Sequence, residues 1–157
     1  MTEDIDIVSS RAELFIEELR RNLSERFNIA VCIRTVANGS GFRLYQIVKP
    51  KNRHLVVVRP VASMPPTQRI DGVLVVTPAE LIAGKVISCV QRIGKPKSFT
   101  DRRDLAMMLL KFPALKASGG PVDQALSSHN ANENAQAFWR QLVAEEILPE
   151  TPDDDFE

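Results

Sequence analysis

The tetrapeptide Thr77-Pro78-Ala79-Glu80 constrains this chain more than any other stretch. A threonine can cap the free N–H groups at a helix start, and proline suits the first helical position because its missing N–H is one the helix leaves unbonded. A glutamate three residues after the cap can reach back to the cap's own N–H. Together they predict a helix running to about Ile93 and ended by Gly94-Lys95-Pro96-Lys97-Ser98. Just before it, Val73-Leu-Val-Val76 reads as a short buried strand. The chain thus changes near residue 76 from sheet with one helix to helices alone, which makes α+β the expected fold class.

In the first half, Ile5 and Ile7 alternate with Asp4 and Asp6 at the strand period of two. The isoleucines can face a core while both carboxylates share the opposite face. Ser9 or Ser10 is the expected cap of a helix to about Phe27, with Phe15, Leu19, Leu23 and Phe27 on its apolar stripe. Ile29 to Val36 and Phe42 to Val48 read as strands joined by the turn Asn38-Gly39-Ser40-Gly41, and after a second turn at Pro50-Lys51-Asn52, His54 to Val58 gives a third. The connection from Val61 to Gln68 contains Pro65-Pro66 and cannot be a central strand. The sum is a mixed or antiparallel sheet of about four to five strands with an N-terminal helix.

In the second half, Ser98 or Thr100 is expected to cap a helix starting near residue 101 and carrying Leu105, Met108, Leu109 and Phe112 before Pro113. Gly119-Gly120-Pro121 separates it from one or two more helices, the last with Ala135, Phe138, Trp139, Leu142 and Val143. A chain of 157 residues suits one domain, here expected over 1–150 with halves at 1–76 and 77–148, followed by an acidic disordered tail at 151–157. With 44% hydrophobic and 25% charged residues the chain is not disordered throughout. No run approaches the roughly 18 apolar residues of a membrane span, and Met1-Thr2-Glu3-Asp4 lacks the basic start of a secretory signal, so a cytoplasmic protein is expected. Cys32 and Cys89 each sit in an apolar run and read as buried, reduced thiols.

The net charge of zero conceals a pattern: residues 1–25 sum to −4, residues 26–100 to +10 and residues 101–157 to −6. Between Arg26 and Ile70 there is no acid, while Arg34, Arg43, Lys49, Lys51, Arg53, Arg59 and Arg69 recur at intervals. A basic face on ordered structure favours a polyanion such as nucleic acid or nucleotide phosphates, and pairing with the acidic ends of the chain is the alternative.

Three constellations could carry chemistry. Asp4 and Asp6 project from one strand face, as carboxylates holding Mg²⁺ and a nucleoside triphosphate would, and equally as a solvated acidic strand would. Asp101 and Asp104 lie along an apolar helix stripe, where a carboxylate needs a reason: the dipole of a helix start, or a site in which it serves as base or as partner of a lysine. Lys85 falls among the inward positions Ile82, Val86 and Val90 and either snorkels to water or holds phosphate oxygens, with Arg92, Lys95 and Lys97 following it. No Cys/His cluster of zinc spacing, serine-hydrolase elbow or Walker A loop is present.

Thr2-Glu-Asp-Ile-Asp-Ile-Val8, then Glu80-Leu-Ile-Ala-Gly-Lys85, Arg92 and Asp101-Arg-Arg-Asp-Leu105 resemble, in order and approximate spacing, segments of the abortive-infection nucleotidyltransferases, the AbiEii/AbiGii type toxins of the polymerase-beta-like superfamily. The resemblance implies that Asp4 and Asp6 bind Mg²⁺, that Lys85, with Arg92, contacts the triphosphate, and that Asp101 is needed for activity, with Asp104 beside it. It also implies transfer of a nucleoside monophosphate from an NTP to a hydroxyl of RNA, often tRNA, or of protein, and a cognate antitoxin as partner. The family's Gly-Ser turn has no counterpart ahead of Asp4, and the strand His54–Arg59 carries no third carboxylate. A non-catalytic relative binding nucleotide, RNA or protein is therefore the alternative, and an unpaired strand edge near residues 4–8 is expected to invite a second subunit.

Overall fold

A computed structural model of the protein describes residues 5–36 and 39–149. The chain divides between Met64 and Pro65 into two compact units, each with a hydrophobic cluster of its own. Asp4, part of the Asn38–Gly41 turn, and the acidic tail fall outside the described residues.

The first unit is a four-stranded mixed sheet with one helix on it. Strands β1 (Ile5–Ser9), β2 (Val31–Thr35), β3 (Phe42–Gln46) and β4 (Arg53–Pro60) lie in the order β1-β4-β3-β2. β2, β3 and β4 run antiparallel in succession, and β1 joins β4 in parallel, with Asp6 opposite Val57. Helix α1 (Ala12–Phe27) follows β1, and its Ala12 and Ile16 bury against Leu44, Val56 and Val58. Phe15, Leu19 and Leu23 join that face as expected, whereas Phe27 is exposed. Neither expected serine caps α1. Arg11 occupies the cap, and Ser9 Oγ accepts from Arg11 N one step earlier. Ile7 packs in the core, and Ile5 at the start of the edge strand is exposed.

Between β2 and β3, Val36 N donates to the Gly41 carbonyl across the turn. Gly41 has a φ of +147°, and a Cβ there would stand 2.6 Å from the Val58 carbonyl oxygen, so glycine is required by both backbone and space.

The second unit opens with a hairpin of β5 (Thr67–Ile70) and β6 (Val73–Val76), turned through Asp71 and Gly72, both at positive φ. β6 was expected to be buried, but Val73 and Leu74 are exposed, because a two-stranded ribbon offers no second layer to cover them. Four helices follow: α2 (Pro78–Gln91), α3 (Pro96–Lys111), α4 (Pro121–Ser128) and α5 (Glu133–Ala144). Their core joins Ile82 and Val86 of α2, Leu105 and Leu109 of α3, Leu126 of α4 and Trp139 of α5. Trp139 is fully buried and its Nε1 donates to Asp123 at 3.0 Å.

The start of α3 departs from the sequence reading. Pro96 takes the first helical position and neither Ser98 nor Thr100 is a cap; Ser98 Oγ donates instead to the Lys95 carbonyl inside the first turn. Asp101 therefore lies beyond that first turn, where the helix dipole has largely faded. No described helix is long and apolar enough to cross a membrane.

Candidate functional site

Helices α2 and α3 bring Lys85, Arg92, Asp101 and Asp104 into one cluster. Asp101 is its inner member, 1% exposed on the buried side of α3 between Ser98 and Leu105. Its Oδ1 accepts from Lys85 Nζ at 3.2 Å and its Oδ2 from Arg92 Nη1 at 2.7 Å. Asp104, one turn further along α3 and half-exposed, takes a second proton of Lys85 Nζ at 2.5 Å. The local reason is spacing. Asp101 and Asp104 stand at i and i+3 on one side of α3, while Arg92 closes the end of α2 two turns after Lys85.

Burial by itself would raise the Asp101 carboxyl, but hydrogen bonds and charge from Arg92 and Lys85 outweigh it and hold the group below the ordinary carboxylate range. Burial would likewise lower Lys85, and Asp104 with Asp101 outweigh it and raise the ammonium above its ordinary value. Both groups are ionised at neutral pH. With both oxygens engaged, Asp101 is the partner of a lysine and of an arginine, and its position beyond the first helical turn does not fit the dipole reading. Lys85 is bonded rather than simply snorkelling to water.

The cluster is neutral in sum yet has unused donor capacity. Lysine and arginine offer eight N–H groups between them, and among the described residues Asp101 and Asp104 take three. The side chains of Lys85 and Arg92 are 35% and 33% exposed, so the remaining donors open to solvent.

Asp6 belongs to the first unit, on the sheet face away from α1, where its carboxylate meets Arg59 at 3.4 Å. Among the described residues no three His, Cys, Asp or Glu side chains assemble to hold a metal ion. Asp4, the expected partner of Asp6, lies outside them. Cys32 and Cys89 are free thiols, the first half-buried and the second buried. Burial and the nearby Asp101 charge raise the Cys89 thiol further, with Arg102 opposing, so it stays protonated and inert.

One polar pair escaped the sequence reading. Glu80 was expected to close the capping box. Thr77 Oγ does accept from Glu80 N, at a long 3.5 Å, but the buried Glu80 carboxylate turns to His129 Nε2 at 2.7 Å. The legible signal was a histidine just after a helix C-terminus, where a cation is favoured.

No protein-family model and no curated protein matches the sequence. Among solved structures the chain is similar to an antigenic nucleotidyltransferase-like protein from Paracoccidioides brasiliensis, at 17% identity and a TM-score of 0.45, over 88% of this chain and 75% of that one. A likeness of that size is a partial overlap of backbones and assigns neither a family nor an activity. The fold itself is α+β, with a four-stranded mixed sheet and five helices among the described residues.

Proposed function

We propose that the protein binds a nucleoside triphosphate through Lys85 and Arg92 and acts as a nucleotidyltransferase-like component of a toxin–antitoxin or phage-defence system. The observation that carries this reading is the convergence of Lys85, Arg92, Asp101 and Asp104, separated by up to 19 residues in sequence, into one cluster. Buried Asp101 positions both cations. Half-exposed Asp104 is the carboxylate a phosphate oxygen would displace from Lys85, exchanging one charge-assisted bond for another. In the transfer, a hydroxyl oxygen of RNA or protein forms a bond to the α-phosphorus, the bond to pyrophosphate breaks, and the hydroxyl proton passes to solvent. Lys85 would stabilise charge on the departing pyrophosphate.

Mg²⁺ would be held by Asp4 and Asp6 and would neutralise phosphate charge. Among the described residues Asp6 has only Arg59 close by, which does not by itself make an ion site, so no step is assigned to the metal. The same Asp6–Arg59 contact favours a second reading, a non-catalytic relative that binds nucleotide and transfers nothing.

Calorimetry with each NTP and Mg²⁺ tests both. Lys85→Met should weaken binding by about 10- to 100-fold, the value of a charge-assisted hydrogen bond, with the fold checked by far-UV dichroism. Unchanged affinity in that variant would sink the site. Loss of Mg²⁺-dependent binding in Asp4→Asn/Asp6→Asn favours the enzyme, and its persistence favours the non-catalytic relative.

A further inference from the structure

The sheet of the first unit has two unlike faces. One carries Leu44, Val56 and Val58 against α1. On the other, the register sets Arg34 opposite Arg43, Arg43 opposite Val57 and Val57 opposite Asp6, a single row across all four strands. Like charges directly opposite one another in a sheet repel. Arg34 and Arg43 are both exposed, and among the described residues neither has an acidic partner. Asp6, at the far end of the row, is engaged with Arg59.

An aromatic element adjoins the arginines. The Arg34 guanidinium stands over the Tyr45 ring at 5.3 Å, and that ring meets His54 with centroids 5.0 Å apart. Arg34 is thereby seated over the ring at an exposed position, and its guanidinium offers a cationic surface on which a base can stack. Beyond Tyr45, the connection from β3 to β4 adds Lys49 and Lys51, and β4 begins with Arg53, all exposed. The acids of this unit all precede Arg26 in sequence, so strands β2 to β4 and their turns carry cations alone.

We propose that this face is a binding surface for single-stranded RNA, with Arg43 and the β3–β4 lysines on the phosphates and Arg34, held by Tyr45, stacking on a base. A planar, ring-supported arginine beside paired cations suits an unstacked strand, whose bases are free to stack on side chains, better than a duplex, whose bases stack on each other. The inference extends the function above to its acceptor and uses residues other than the Lys85 cluster, so the two can fail separately.

Fluorescence anisotropy with a labelled 12-nucleotide single-stranded RNA, titrated against salt and without nucleotide, is the test. The wild-type protein should bind, and Arg34→Ala/Arg43→Ala should weaken binding at least about tenfold and flatten the slope of log K against log salt by about 0.7, the one phosphate that Arg43 contacts on a single strand. The same variant should keep its thermal midpoint, since removing a like-charge pair does not harm the sheet, and should bind NTP like the wild type. Arg34→Lys/Arg43→Lys should keep the salt slope but lose several-fold in affinity, because a lysine cannot stack. Undiminished binding by the alanine variant overturns the proposal. So does equal affinity for duplex RNA, or displacement of the RNA by polyglutamate at matched charge, which would mark the face as a dock for an acidic protein. Loss of NTP binding in Lys85→Met with RNA binding intact would leave this surface standing.

Discussion

Replacing Asp101 by alanine removes the one carboxylate that two cations share in the interior of the helical unit. Breaking a fully buried ion pair costs about 3–5 kcal/mol, because the abandoned charge stays desolvated, whereas an exposed pair is worth about 0–1 kcal/mol. Here the carboxylate is buried but Lys85 and Arg92 are each about a third exposed, and Lys85 keeps Asp104. The expected penalty lies between those limits, about 2 kcal/mol near neutral pH. Trp139, the single tryptophan and fully buried in the same core, reports the unfolding directly, so urea titration followed by its fluorescence is the assay.

The pH dependence follows from the direction of each shift. The Asp101 carboxyl is lowered in the folded state, so its contribution is complete above the ordinary value of 3.8 and is lost as pH falls through the lower folded value. The Lys85 ammonium is raised, so its contribution is complete below 10.5 and is lost as pH rises through the higher folded value. The gap between wild type and Asp101→Ala should therefore be widest across the neutral range and should narrow in acid. Prior removal of Arg92, as Arg92→Met, should shrink the alanine penalty by about 1 kcal/mol through the lost coupling. A penalty below about 0.5 kcal/mol at neutral pH, or one that persists undiminished into acid, refutes the account.

Two further outcomes concern the sheet unit. Gly41→Ala should destabilise it by about 2 kcal/mol or more, read as a lowered midpoint in far-UV dichroism, since the new Cβ would press on the Val58 carbonyl at a backbone angle alanine avoids. The outer edge of β1 has no strand beside it among the described residues, so sedimentation equilibrium should show concentration-dependent dimers that Ile5→Lys abolishes. A clean wild-type monomer at high concentration would rule that pairing out.

Much of the architecture could be read from short stretches of sequence. Thr77 and Pro78 started α2 where expected, the β-branched runs became β2, β3 and β4, and Gly119-Gly120-Pro121 separated α3 from α4 and began the latter. Each depends on residues within a turn or two of one another. The misreadings arose where two local signals competed. Ser98 and Thr100 were both acceptable caps, yet Pro96, two residues earlier, took the first helical position, and the shift moved Asp101 out of reach of the dipole. Val73 and Leu74 have the composition of a buried strand, but burial depends on whether another layer covers the strand, and composition does not encode that.

The candidate site divides along the same line. The sequence determined that Lys85, Asp101 and Asp104 would lie along apolar helix faces, because helical periodicity fixes which positions share a side. It also placed a carboxylate-free run of cations in the central strands. Only the tertiary structure decided that Lys85 and Arg92 meet on Asp101, that Glu80 leaves the capping box for His129, and that Arg34 lies opposite Arg43 with Tyr45 beneath it. Those pairs span 9 to 49 residues, and a charge chooses among distant partners only after helix packing and strand register have fixed which of them come within hydrogen-bonding distance.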